Sequence, residues 1–198
     1  MDVTKTFQFS DGRTLEIIQD EDPQSPREWD NLGTMACFHK RSDLGDKDHG
    51  IDHTEFGGFD EMEKWIRSEN PDCVILPIYL YEHGGVTINT TGFSCEWDSM
   101  QLGFIFVSRE KIKAEFGEHG GRTDEQIETY LRGEVETYDQ YLRGDIYGFI
   151  LREPPCPTCE GPGKAGDSCW GFYGSDPVEN GMGDHLETKY KDELEVLV

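Results

Sequence analysis

The sequence predicts an α+β fold with a mainly antiparallel sheet, two or three helices and a Cys-rich loop near the C-terminus. Apolar and polar residues alternate in several short segments separated by turn residues, which is typical of strands joined in hairpins. One long segment, residues 124–142, instead repeats apolar residues at helical spacing. The chain has 198 residues, of which 35% are hydrophobic and 12% aromatic, so it is long enough to bury a core.

The predicted strands begin with a hairpin over residues 3–19, in which Ser10 to Arg13 supply the turn. The most apolar run, residues 74–81, is expected to be a principal strand, and Pro77 within it favours an edge or a bulge because proline cannot donate to a ladder. The other predicted strands are residues 32–38, 86–90, 101–107 and 145–151.

The clearest predicted helix covers residues 124–142, where Thr123 and Gln126 fit a capping box. Shorter helices are predicted over residues 57–70, from Ser108 to Phe116, and over residues 180–190, followed by an acidic tail. There are no internal repeats and no long linker, so the chain is interpreted as one domain, residues 1–198.

Charge is the strongest global signal, because 41 acidic and 18 basic side chains give a formal charge of -23. Direct binding to nucleic acid is disfavoured, since affinity for phosphates depends on cationic side chains. Binding to an anionic membrane is disfavoured for the same reason. A basic protein surface is the favoured partner, and a protein of this charge could occupy a nucleic-acid channel as a DNA mimic. The alternative is that the acidity only confers solubility.

No stretch approaches the ~20 apolar residues that a membrane helix needs. The N-terminal residues lack the charged and then apolar pattern of a signal peptide. The protein is therefore expected in the cytoplasm, where its six cysteines would be thiols or metal ligands rather than structural disulfides.

A zinc site is predicted in the Cys-rich loop, residues 153–175. The C-x-x-C spacing of Cys156 and Cys159 suits two thiolates on one turn, and Cys169 would return as a third ligand. His185 is chosen as the fourth ligand, with Cys95 and Asp167 as the other candidates. The alternative is a reduced or disulfide-forming turn, with Cys169 as a small buried hydrophobe.

A second constellation occupies residues 39–53, where His39, His49 and His53 are interspersed with four aspartates. A mixed Asp/His set would suit manganese, iron or zinc, and it supports an alternative function as a metal-dependent hydrolase or a nucleic-acid-processing accessory enzyme. The order of ligands does not match an EF-hand. The competing interpretation is a solvated loop in which Asp and Gly make turns.

The exposed face of the 124–142 helix supplies the predicted partner-binding residues, and a plain solvated face is the alternative. These residues are Glu125, Glu128, Glu136 and Asp139. No catalytic residue is assigned, because Cys95 or Cys37 could be paired with any histidine and the spacing selects none.

Four segments carry a resemblance: 29–39, 97–108, 134–145 and 167–174, among them Trp-Asp-Asn-Leu-Gly-Thr-Met and Asp-Ser-Cys-Trp-Gly-Phe-Tyr-Gly. They resemble a family of uncharacterised proteins of phages and mobile elements. The resemblance implies residence in a host cell and, with the charge, a counter-defence protein of the anti-CRISPR or anti-restriction type. Such a protein would bind a basic surface of a host nuclease and block nucleic-acid loading.

Overall fold

A computed structural model describes residues 3–95, 97–117, 121–158 and 161–198. Within these residues it contains four α-helices and eight strands in two antiparallel four-stranded sheets. The predicted α+β class with mainly antiparallel pairing is confirmed, although the strands form two sheets and there are four α-helices rather than two or three. The backbone packs as two compact units, Met1–Gln24 with Gln140–Val198, and Ser25–Asp139.

The first unit contains a sheet in the order β1-β2-β7-β8. One face of this sheet packs against the C-terminal helix α4 through buried side chains that include Leu15, Phe149, Tyr190 and Leu194. The elements of the unit are β1 (Val3–Gln8), β2 (Thr14–Gln19), β7 (Ile146–Arg152), β8 (Ala165–Tyr173) and α4 (Thr188–Leu197).

The second unit contains a sheet in the order β3-β6-β4-β5. Its elements are β3 (Thr34–Cys37), α1 (Phe59–Glu69), β4 (Val74–Glu82), β5 (Val86–Asn89), β6 (Ser99–Val107), α2 (Arg109–Phe116) and α3 (Asp124–Leu142), whose last residues belong to the first unit. Residues 102–107 of β6 are buried without interruption, which is expected of a central strand covered on both faces.

The two faces of this second sheet contact different helices. Met62 and Ile66 of α1 belong to the same buried cluster as Phe104 and Phe106. On α3, Leu131 lies against Gly33 and Ile105, so close that a Cβ at Gly33 would come 2.6 Å from Leu131 Cδ2. Because Ile105 points to the face opposite its neighbours in the strand, α1 and α3 cover opposite faces.

Pro77 lies inside β4, where its partner on one side is Phe104 of β6. On the other side, β5 pairs only with residues 79–82 of β4, so in the described chain β4 is an edge strand at Pro77. Such an edge position tolerates proline, because a residue whose N–H would face the unpaired side contributes no ladder hydrogen bond.

The C-terminal third differs from the sequence prediction in two places. The predicted Cys-rich loop is shorter than residues 153–175, because Ala165–Tyr173 forms β8. The predicted helix over residues 180–190 is a 3-10 turn at Met182–His185, followed by α4, which includes the predicted acidic tail. Tyr190 and Leu194, one turn apart, are fully buried, so packing of this apolar face explains why the helix continues through the acidic residues.

None of the helices among the described residues combines the length and apolarity needed to cross a membrane.

Candidate functional site

A cavity in the second unit has a volume of about 930 Å³ and is lined by residues between Cys37 and Met62. The predicted 39–53 constellation forms much of its wall, between the end of β3 and the start of α1. Aromatic rings of Phe38, Phe56 and Phe59 provide an apolar lining, and all three predicted histidines also line it.

The side chain of His39 is almost fully buried, with only 5% of it exposed. Its Nε2 lies 3.7 Å from a carboxylate oxygen of Glu82, which is also 2.6 Å from Arg41 Nη2. Its Nδ1 is buried and has no hydrogen-bond partner among the described residues. A buried polar atom without a hydrogen-bond partner lowers stability. A group that formed a hydrogen bond with His39 Nδ1 would therefore stabilise the protein.

The rings of His49 and His53 both lie near the ring of Phe38, at ring-centroid distances of 5.2 and 5.5 Å. The N–H of Ile51 donates to His49 Nδ1 at 3.1 Å, which leaves Nε2 to carry the ring hydrogen in the neutral imidazole. Burial lowers the pKa of His49 below its ordinary value, despite an opposing effect of Asp46, and so favours that neutral form.

The predicted ligands of the 39–53 segment are not assembled into a metal site. Within the described ranges, no three His, Cys, Asp or Glu side chains are grouped closely enough to hold a metal ion. The metal-dependent hydrolase therefore stays a prediction for this segment.

A buried ion-pair network anchors Asp46, one of the residues that line the cavity. Arg27, with 4% of its side chain exposed, binds Asp46 through two hydrogen bonds of 2.8 and 2.9 Å and Glu134 at 2.9 Å. Asp46 also accepts from the N–H of Met35, and Glu134 accepts from the N–H of Gly33. Burial acts to lower the pKa of Arg27, but these carboxylates outweigh it, so the pKa is raised.

Sequence reasoning missed this network. Its members are far apart in the chain, and Asp and Glu are too numerous here to stand out. One signal was present: Glu134 falls at helical spacing between Leu131 and Tyr138, on the buried face of α3, where an acidic residue needs a partner.

The two cysteines considered as nucleophiles lie in different environments. Burial raises the pKa of Cys37 to about 12, so its thiol stays protonated and weakly nucleophilic. Cys95 Sγ lies 3.8 Å from a carboxylate oxygen of Asp98, which is 3.3 Å from His83 Nδ1. The carboxylate thus lies between the thiol and the imidazole, so the structure supplies no direct thiol–imidazole contact here.

The three predicted zinc ligands that the structure describes, Cys156, Cys169 and His185, fall into two groups. Cys169 Sγ on β8 lies 3.8 Å from His185 Nδ1, a separation compatible with two ligands of one zinc ion. Cys156 lies in the loop that follows β7, where its N–H donates to Gly161 O, and Cys159 lies outside the described residues.

Strand register separates these two groups. Cys169 pairs with Phe149 in the β7–β8 hairpin, and Cys156 comes seven residues after Phe149 toward the hairpin tip. Extended chain spans about 3.3 Å per residue, so this offset corresponds to roughly 20 Å. The zinc site stays a prediction, and in this conformation Cys169, with His185 beside it, lies in a different part of the hairpin from Cys156.

The predicted acidic stripe on α3 is not uniform. Glu125 and Glu136 are exposed, whereas Glu128 pairs with Arg132 at 3.3 Å. Asp139 accepts hydrogen bonds from Thr87 Oγ1 and from the N–H of Ile88, at 2.6 and 2.7 Å. Asp139 therefore joins α3 to β5.

A scan against family models, a search of curated proteins and a search of solved structures found no match to this chain.

Proposed function

We propose that this chain is a phage-encoded acidic counter-defence protein that binds a basic surface of a host nuclease and blocks nucleic-acid loading. The CRISPR effector nucleases and restriction enzymes are the two classes of partner considered. The resemblance to phage and mobile-element proteins supports this context, and the charge of -23 supports a cationic partner.

The arrangement of the cations carries the proposal. Eight of the nine arginines are in ion pairs with carboxylates of the same unit, and Arg122 lies over the ring of Phe116. The paired arginines are Arg13, Arg27, Arg41, Arg67, Arg109, Arg132, Arg143 and Arg152. Most positive charge is thus already neutralised locally, and the excess carboxylates set the potential that a partner meets.

The exposed face of α3 is the part of the surface proposed to bind the partner. Glu125 and Glu136 are exposed, and their replacement by lysine reverses charge without disturbing the bonds of Asp139. The double variant Glu125→Lys/Glu136→Lys is compared with Asp192→Lys/Glu195→Lys, which makes the same charge change on exposed positions of α4.

The experiment measures binding to a purified CRISPR effector nuclease and a purified restriction enzyme, with and without competing DNA. We expect binding to one of them that DNA competes away and that weakens steeply between about 50 mM and about 500 mM salt, because screening shortens the range of charge attraction. The α3 variant should weaken binding more than the α4 variant. Equal losses would place the interface elsewhere. Binding that neither DNA nor salt affects would contradict the proposal.

A further inference from the structure

The cavity between Cys37 and Met62 has the properties of a site for a small organic ligand. Its volume of about 930 Å³ lies in the range of pockets that hold drug-sized molecules. Phe38, Phe56 and Phe59 contribute ring surfaces on which a planar molecule can stack. The cavity therefore offers both the space and the apolar surface that a flat ring needs.

Two of the histidines that line the cavity, His39 and His49, carry complementary hydrogen-bonding atoms. The carboxylate of Glu82 only accepts, so it favours the ring hydrogen of neutral His39 on Nε2 and leaves Nδ1 as an acceptor. Ile51 donates to Nδ1 of His49, so Nε2 of that ring is a donor. A ligand that donates to Nδ1 of His39 would satisfy the buried atom that has no partner in the described chain, once a rotation of the ring turns this atom toward the cavity. A ligand that also accepts would bind Nε2 of His49.

Charge selects a neutral ligand over an anionic one. Lys40 and Lys47 line the cavity together with Asp43 and Asp46, and Asp46 is paired with Arg27, which also binds Glu134. When this network is included, three cations face three carboxylates, so the local charges balance. The chain as a whole carries -23, and this long-range field opposes the approach of anions.

We propose that this cavity binds a nucleobase or nucleoside, an uncharged planar ring whose edge pairs with the acceptor on His39 and the donor on His49. The aromatic lining stacks with the ring faces, and the free nucleoside is preferred to its phosphorylated forms. This site is independent of the basic partner proposed above, because it is concave and lined by histidines and aromatic rings rather than by exposed carboxylates.

The test titrates the full chain with the four common ribonucleosides and with their 5′-monophosphates. Binding is followed by calorimetry and by long-range ¹H–¹⁵N spectra of the histidine rings. We expect at least one nucleoside to bind and to shift the Nδ1 resonance of His39 and the Nε2 resonance of His49. Its monophosphate should bind about tenfold more weakly or worse, which corresponds to about 1.4 kcal/mol.

The variant His39→Leu removes the acceptor and also removes the buried polar atom. We expect its affinity to fall about tenfold, while its thermal stability without ligand is unchanged or higher, because the unsatisfied nitrogen is gone. The matched control is His83→Leu, since 72% of the His83 side chain is exposed and it does not line the cavity; its affinity should be unchanged.

Three results would overturn the proposal: no nucleoside shifts the His39 and His49 resonances, a monophosphate binds as tightly as its nucleoside, or zinc or manganese alone occupies the cavity and produces the shifts. If His39→Leu does not fold, the spectra of the wild-type chain decide, because they need no substitution.

Discussion

Replacement of Arg27 should lower the stability of the second unit more than replacement of any other residue. Its guanidinium is almost fully buried and pairs with the carboxylates of both Asp46 and Glu134 while also donating to Gly33 O. Removing one member of a buried ion pair leaves uncompensated buried charge, and that typically costs about 3–5 kcal/mol.

We predict that Arg27→Ala lowers the free energy of unfolding by about 3–5 kcal/mol, measured by urea denaturation with circular dichroism and tryptophan fluorescence. The control is Arg67→Ala, which removes an exposed pair with Glu63 one helical turn away and should cost about 0.5 kcal/mol or less. Equal losses in the two variants would show that the Arg27 network contributes no more than a surface pair.

At the scale of the element, α3 is attached to the edge of the sheet through Asp139. Its carboxylate accepts from Thr87 and Ile88 of β5, the edge strand next to β4. The side chain therefore satisfies a backbone N–H on an edge strand and fixes the end of the helix.

We predict that Asp139→Ala destabilises the chain by about 1.5–3 kcal/mol, because hydrogen bonds to a charged acceptor are lost and the N–H of Ile88 loses its partner. Asp139→Asn keeps an acceptor oxygen and should cost less. Glu136→Ala, an exposed position on the same helix, is the control and should be close to neutral. Thermal and urea unfolding measure all three variants, and a loss for Glu136→Ala as large as for Asp139→Ala would refute this role.

Local sequence pattern predicted most of these elements because their signals are contained within short windows. Alternation identified β1 and β2, and helical spacing identified α3 within its observed limits, Asp124–Leu142. The strand β8 was missed because Gly166, Gly171 and the mostly exposed residues between them lack the apolar alternation of a strand. Pairing with β7, which local pattern does not report, holds it in place.

The candidate sites were harder to predict than the elements, because they depend on which distant segments meet. Spacing grouped the three histidines of residues 39–53 as candidate metal ligands, which stays a prediction. All three line one cavity, but only tertiary structure shows this and places buried His39 beside Glu82. Spacing also grouped Cys169 with Cys156, whereas strand register separates them along the hairpin. Two residues that are close in sequence can therefore be far apart in space when part of a strand lies between them.

At the scale of the whole molecule, the balance between ion pairs and net repulsion governs stability. The local pairs of the arginines each contribute about 0–1 kcal/mol at exposed positions, and salt weakens them. The excess charge of -23 destabilises the compact state through self-repulsion, which salt also weakens. Salt therefore stabilises the protein if the repulsion between carboxylates is the larger effect. It destabilises the protein if the ion pairs contribute more.

We predict that repulsion is larger, because acidic side chains outnumber basic ones by 41 to 18 and most carboxylates therefore lack a cation to pair with. The melting temperature at pH 7 should rise when salt is increased from about 10 mM to about 100 mM, as the Debye length falls from about 30 to about 10 Å. Near the sequence pI of 4.4 the net charge is small, so the same salt step should leave the melting temperature unchanged or lower it. Differential scanning fluorimetry at both pH values measures the effect, and a melting temperature that falls with salt at pH 7 would mean that the ion pairs outweigh the repulsion.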